Sequence, residues 1–430
     1  MVWMTAAEAL NVLNVRPQTL YANVSRGKIR AKSDADDPRR SLYHRDDILR
    51  MAKRSNGRRK IETVSAQAMQ WGDPVLPSAL STAADGRLLY RGRDAITLSE
   101  TATLEDIADL LWQAEAGQVQ AATAAAANAA AEAATTAAIT AAPASATSAL
   151  PANALGAGLL ALALRSATDA PSLGRPAAEL RAEAADVLAT LTAAMMAVPT
   201  PPDNSGRAAP TDGKRANTGA HQAISSAPST ASISHRLALA WQRPAAEDLL
   251  RRALVLMADH ELNASTFATR VAVSTGASLA AGVLAGFTTL TGPLHGGASA
   301  EFAQLVASAR QHGAGPAVQA WLGSGRPLPG FGHKLYAEGD PRARALLELL
   351  PELQPHTNLA AEAEAQAGEL PNIDFALTLL AAAHELPDDA PFILFALGRC
   401  VGWLAHALEQ VQANRLIRPR ARYVGPSAGT

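Results

Sequence analysis

The chain has 430 residues, enough for two or three domains with a substantial core. Its net charge of −1 hides a division: residues 1–60 carry 14 Lys/Arg against 6 Asp/Glu, and the rest carries 24 against 33. A basic head on an acidic body points to two jobs, one of them at nucleic acid, while the single cysteine, Cys400, excludes an intramolecular disulfide and a cysteine-cluster zinc site.

Residues 1–54 read as a compact helical unit. Thr5 and Glu8 form a capping-box pair, and the helix after them places Ala6, Ala9, Leu10 and Leu13 on one face. Pro17 suits the first position of a second helix, which ends at Gly27. The stretch 39–54 suggests a short strand and a third helix, and 55–74 is a polar linker. The N-terminus has no basic segment followed by an apolar one, so a cytoplasmic protein without a secretory signal is expected.

A second unit starts near 75. Residues 78–100 read as a hairpin with its turn at Asp85-Gly86. Thr103 then caps an amphipathic helix whose Ile107, Leu110 and Leu111 share a face. Thirteen of residues 121–140 are alanine, and 198–232 are rich in Pro, Ser, Thr, Gly and Asn. Both stretches, near 113–150 and 198–232, read as insertions of low complexity. Helix-length apolar periods then occupy 245–258, 264–290, 298–311, 341–350, 373–384 and 391–411. The stretch 275–290 is broken by Gly, Ser and Thr and reads as buried helix, so no membrane partner is expected. The apolar segment 393–408 is a surface that could pack against a second subunit. The fold class is mainly α.

Five islands carry chemistry. "LTGPLHGGAS" sets His295 among glycines; "MADHELNAS" contains His260 between two acids; "PGFGHKLYAEGDPRARALL" supplies His333 and Arg342; "PNIDFAL" sets Asp374 at a helix start; and the C-terminal stretch supplies Arg399, Arg418, Arg420 and Arg422. Singly, each has an ordinary structural reading. His260 could bridge Asp259 and Glu261, Asp374 could face a helix dipole, and the last arginines could form a basic surface. Together they suit a small multi-carboxylate substrate and proton transfer next to a carbonyl. Arginine forks pair with carboxylates, an Asp within reach removes the proton, and a neutral imidazole donates to the oxygen where charge develops. No P-loop, dinucleotide fingerprint or HExxH motif competes, and no metal or cofactor is expected.

In order, "ADHELNAS", "GPLHGGASAE", "PGFGHKLYAEGDPRA", "NIDF" and "RPRARYVGP" resemble citrate synthases, with "LLYRGRDA" and "TLEDIADLLW" similar to the family's entry segment. The resemblance implies a two-domain helical homodimer: a large domain at 75–299 and 396–430, and a small domain at 300–395. It further implies that acetyl-CoA is a substrate whose thioester carbonyl is polarised by His295, whose methyl proton goes to Asp374, and that His333 serves the oxaloacetate carbonyl. His260, Arg342 and Arg399 would hold oxaloacetate, Arg418 would reach in from the neighbouring subunit, and Leu328, Pro329, Gly330, Phe331 and Gly332 would lie along coenzyme A. Departures from the pattern are Met257, Ser299, Gly398 and Ala337.

Residues 1–54 separately resemble the helix-turn-helix of excisionase- and MerR-like proteins. The resemblance implies double-stranded DNA as a partner, read by Gln18, Thr19, Tyr21, Asn23 and Arg26 with Arg16 on the backbone; a docking module for another protein is the alternative. The expected function is citrate formation from acetyl-CoA, oxaloacetate and water. Alternatives are 2-methylcitrate synthesis from propionyl-CoA, and a DNA-binding regulator that uses the synthase fold as a ligand sensor.

Overall fold

The computed structural model describes residues 3–13, 17–34, 37, 40–45, 47–49, 51, 76–126, 128, 153–197, 231–336, 338–419 and 425. They fall into two compact units, 1–77 with 420–430, and 78–419.

In the first unit, β1 (Trp3–Thr5), α1 (Ala6–Leu13), α2 (Pro17–Ser25), β2 (Ala31–Ser33) and β3 (Ser41–His44) follow one another. The strands form an antiparallel sheet in the order β1-β3-β2. The capping box is present: Thr5 N–H donates to Glu8 Oε2 at 2.8 Å and Glu8 N–H to Thr5 Oγ1 at 3.3 Å. Ala9, Leu13, Leu20, Ile29, Tyr43 and Ile48 form the core. Strands of three residues are too short for alternation to betray them, so β1 and β2 were not legible beforehand.

The second unit opens with a small sheet, β4 (Ser81–Ala84), β5 (Arg87–Tyr90) and β6 (Arg93–Asp94). The β4–β5 turn is at Asp85 and Gly86, both with positive φ. Helices follow: α3 (Ala95–Thr101), α4 (Leu104–Trp112), α5 (Ala154–Thr168), α6 (Ala177–Met196), α7 (Ile233–Ala240), α8 (Glu247–Met257), α9 (Ala264–Ser274), α10 (Leu279–Leu290), α11 (Ala298–His312), α12 (Ala314–Gly323), α13 (Pro341–Leu347), α14 (His356–Ala367), α15 (Ile373–Ala383) and α16 (Ala390–Ala413). Thr103 caps α4 reciprocally with Asp106. The apolar run 264–290 is two helices, because the chain turns at Gly276 with φ +87° and Ser278 caps the second.

A large core gathers around α16, and a smaller one is built from α11, α12, α14, α15 and the 328–331 segment. Helix α15 belongs to both: Ile373, Ala376, Leu377 and Leu380 enter the large core, Phe375 and Leu379 the small one. Helix α16 is long and apolar enough to cross a membrane, yet its most apolar window is 94% buried within the fold. Residues 393–408 are all buried inside one protomer. The expectation that this helix presents a face to a partner is therefore corrected: its apolar side chains are satisfied by the chain's own core.

Candidate active site

His260 sits in the turn after α8, and the β4 strand holds that turn in place. Ser81 Oγ donates to Asp259 Oδ2 at 2.5 Å and accepts from Glu261 N–H at 2.9 Å. Glu261 takes a left-handed φ of 53°, and its Oε1 accepts from Ala83 N–H at 2.6 Å. His260 thus leaves the helix for a buried position, unlike a helix histidine bridging its neighbours. Burial, then Arg342 and Arg399, pull its pKa well below the ordinary value, so the ring is neutral.

His333 lies beside it, with ring centroids 5.0 Å apart. Leu335 N–H donates to His333 Nδ1 at 3.2 Å, which leaves the ring proton on Nε2. Burial and Arg342 lower this pKa to about 4. Tyr336, absent from the sequence expectations, completes the cluster: its hydroxyl is 2.9 Å from His260 Nε2 and its ring 4.8 Å from that of His333.

Asp340 is the second residue missed. It caps α13 through Arg342 N–H, grips Arg342 by a fork (Nε to Oδ1 3.0 Å, Nη2 to Oδ2 2.8 Å), and accepts from Ile373 N–H at 3.1 Å. One carboxylate therefore ties the start of α13 to the start of α15. Against the pull of burial, Arg342 holds Asp340 below its usual range. The fork engages Nε and Nη2 of Arg342 and leaves Nη1. The signal for Asp340 was its position before Pro341, which marks a helix-capping acid and nothing more.

Asp374 occupies the first turn of α15, which Asn372 caps. The loop 328–332 is stitched to the same place. Asn372 N–H donates to Gly330 O at 2.9 Å, Asn372 Nδ2 reaches the carbonyls of Phe331 and Gly332, and Gly332 N–H donates to Leu370 O. Leu328 and Phe331 point into the small core, so the backbone of this loop is what it can offer a ligand. Asp374 Oδ1 has neither accessible surface nor a hydrogen-bond partner among the described residues. Burial raises the carboxyl to about 7, with Arg342 and Arg399 opposing and Asp340 adding to the shift.

His295 sits in the turn after α10. Its Nε2 is 2.8 Å from Ser265 Oγ, which donates to Asn263 Oδ1 at 2.7 Å and accepts from Trp403 Nε1–H at 3.1 Å. With the Ser265 proton on Asn263 Oδ1, the bond to His295 runs from Nε2–H to Ser265 Oγ; a hydroxyl turned from Asn263 to Nε2 would instead put the ring proton on Nδ1, the nitrogen left for a ligand. Burial and Arg399 lower the ring to about 4. Arg399 reaches in from α16, its Nε donating to Met257 O at 3.0 Å and its Cζ 5.1 Å from the Phe395 ring centre. Ser265 and Asn263 carried no signal beyond a helix-cap pattern.

The fold thus brings His260, His295, His333, Arg342 and Asp374 all within electrostatic reach of Arg399. Arg418 is exposed in the segment after α16 and takes no part in this cluster within the chain; Arg420 and Arg422 lie outside the described residues. In the first unit, Thr19 and Tyr21 are exposed on α2 and Arg26 is exposed just after it, while Leu20 is buried. Asn23 is half-buried and its Nδ2 donates to Thr19 O at 2.8 Å. Arg16 and the side chain of Gln18 lie outside the described residues. What the cluster offers is three neutral imidazoles, two guanidinium groups and one carboxylate poised near neutrality.

Residues 67–420 match the family described as citrate synthase, C-terminal domain. The chain belongs to the citrate synthase family. Among sequence relatives, "Citrate synthase 2" of Bacillus subtilis is 39% identical over 43% of this chain and 52% of its own length. Citrate synthase of Haloferax volcanii is 40% identical over 40% of this chain and 49% of its own. The chain therefore spans about half the length of the curated relatives it matches. Structural likeness to citrate synthases extends further. The Thermotoga maritima enzyme superposes with a TM-score of 0.62 at 25% identity, covering 85% of this chain and 97% of that one. A ternary complex of the Thermoplasma acidophilum citrate synthase with carboxymethyl coenzyme A and oxaloacetate gives 0.59, also at 25% identity and the same coverage.

Proposed function

We propose that this chain condenses acetyl-CoA with oxaloacetate and water to give citrate and free coenzyme A. The observation that carries the reading is Asp374: a carboxylate raised to about 7, with an unpartnered buried oxygen, among neutral imidazoles and two arginines. In this reading Asp374 takes a proton from the acetyl methyl group while His295 donates to the thioester oxygen where enolate charge develops. The new carbanionic carbon attacks the oxaloacetate ketone, and His333 gives its Nε2 proton to the alkoxide. Water then cleaves the thioester and releases the thiol. Arg399, Nη1 of Arg342 and His260 hold the oxaloacetate carboxylates, and the backbone of Leu328–Gly332 runs along coenzyme A. The test is thiol release by purified protein with acetyl- or propionyl-CoA, with and without oxaloacetate. Release faster with propionyl-CoA would favour 2-methylcitrate synthesis. No release with either would leave the ligand-sensing regulator.

The working unit in this reading is a cytoplasmic homodimer, with closure of the small domain (300–395) on the large one and Arg418 completing the partner's site. Since α16 is internal, the apolar residues left for a second copy include Leu160 and Leu164 on α5 and Leu294, which is 92% exposed beside His295. Mixing inactive Arg418→Ala with inactive Asp374→Asn should restore part of the activity, because one site of a mixed dimer receives a full set. An exchanged but inactive mixture removes the shared arginine.

A second reading concerns the first unit. The basic excess of residues 1–60 and the exposed Thr19, Tyr21, Arg26 and Lys28 favour binding of double-stranded DNA through α2. Genomic-fragment selection with the full chain, followed by salt titration and Arg16→Ala with Arg26→Ala, tests it. Binding that is absent at low salt leaves protein docking as the role.

A further inference from the structure

We infer that Tyr336 is a positioning residue of the oxaloacetate pocket, its hydroxyl setting the proton of His260 and its ring bracing the plane of His333. The inference rests on the condensation reading above. Tyr336 is 4% exposed and meets three of the groups assigned to oxaloacetate. Its ring is tilted 35° to that of His333 at 4.8 Å, and stands edge-on to that of His260 at 5.6 Å. The Arg342 guanidinium carbon lies 5.9 Å from its ring centre.

The hydroxyl and the ring do separate things. Burial raises the phenol to about 12, so it keeps a proton to give, and in this assignment the acceptor is His260 Nε2 at 2.9 Å. The imidazole proton of His260 then belongs on Nδ1. His333 has the opposite arrangement, because Leu335 N–H occupies its Nδ1 and leaves the proton on Nε2. Two rings 5.0 Å apart, one buried and one half-buried, thus carry their protons on different nitrogens. Two devices fix this, one a main-chain amide and the other the Tyr336 hydroxyl. The Tyr336 ring fills the space beside His333 and limits rotation of the ring that must deliver a proton in line.

Two substitutions separate the parts. Tyr336→Phe keeps the ring and removes the donor. It should raise the KM for oxaloacetate about tenfold, the expected cost of leaving a buried acceptor unpaired, while kcat falls less than about threefold and the KM for acetyl-CoA stays put. Tyr336→Leu removes both and should add a loss of about a hundredfold in kcat, as expected for a misaligned proton donor. Tyr336→Met, longer and more adaptable, serves if the leucine variant does not fold, and thermal unfolding checks each. Oxaloacetate binding by calorimetry is read in parallel, so the hydroxyl is tested even in a protein that releases no thiol; that outcome would fail the condensation reading alone. Wild-type KM and Kd in Tyr336→Phe, or equal kcat in the phenylalanine and ring-free variants, overturns the inference.

Discussion

The two cores of the second unit solve the same packing problem with different materials. The large core is mostly aliphatic and surrounds α16, so that a helix of membrane-spanning length and apolarity is an internal strut. The small core has an aromatic centre: Phe302, Phe331 and Phe375 meet pairwise with centroids 5.2–5.9 Å apart, and His356 lies edge-on to Phe302 and Phe375. The large core supports His260 and Arg399 directly, through the turn after α8 and through α16. The small core supports the 328–332 loop. Helix α15 is shared, and its first turn carries Asp374. The lesson is that the charged groups are placed where two packing regimes meet, one side aliphatic and the other centred on a cluster of large rings.

The sharpest break of this arrangement is Asp374→Asn, which keeps shape on both sides and removes only the titratable carboxyl. Turnover should fall about a thousandfold, within the range for loss of a general base, with little change in oxaloacetate affinity. In the wild type kcat should rise with pH through about 7, where the carboxyl ionises. The same shift has a stability consequence. A folded pKa raised from 3.8 to about 7 gives stability that is present below 3.8 and lost as pH rises through 7. The asparagine variant should therefore melt above the wild type at pH 8 and together with it near pH 4. Near-normal turnover would make Asp374 a helix-start acid only.

Much of this was legible in the sequence, and for identifiable reasons. Apolar periodicity marked the helices 247–257, 298–312, 341–347, 373–383 and 390–413 to within a few residues, because each turns an apolar face to a core. The six side chains that the fold gathers were all nameable from their islands. Partners that act through another residue were not. Asp340 looked like a cap, Ser265 and Asn263 like a helix start, and Tyr336 like any aromatic in a loop. Their importance comes from a neighbour distant in sequence, as with Asp340 and Ile373. Helix α14 was missed because its first turn, at His356, is anchored by aromatic packing that no local pattern announces.

Matched methyl additions probe the two regimes. A Cβ at Gly402 in α16 would press on the Ala258 carbonyl and stand 2.5 Å from Asp259 Oδ1. Neither can yield without moving the turn that presents His260. Gly402→Ala should cost about 3 kcal/mol, the upper end for overpacking, and raise the oxaloacetate KM. A Cβ at Gly330 would meet the Phe302 ring at 2.7 Å, at a φ of +80°. Because a ring can shift, Gly330→Ala should cost less, about 2 kcal/mol from strain and repacking. Its kinetic effect should fall on the acyl-CoA KM. Denaturant titrations and the two KM values decide, and reversed KM effects would break the division of labour between the cores.

The smallest expected effect isolates the small core. His356 is 1% exposed, and neither ring nitrogen has a hydrogen-bond partner among the described residues. Burial, then the Arg310 charge, lower its pKa from 6.5 to about 4. A histidine that stays neutral in the fold but takes a proton when unfolded contributes stability fully present above pH 6.5. That contribution is lost as pH falls through 4. His356→Phe removes this titration and keeps an aromatic ring against Phe302 and Phe375. Relative to wild type the variant should gain about 2 kcal/mol on going from pH 8 to pH 5, from a pKa gap of this size. His295 and His333 titrate in the same window in both proteins, so the difference between the two unfolding curves belongs to His356. A gap that is the same at both pH values would mean that packing alone, and not the buried imidazole, distinguishes the small core from the large one.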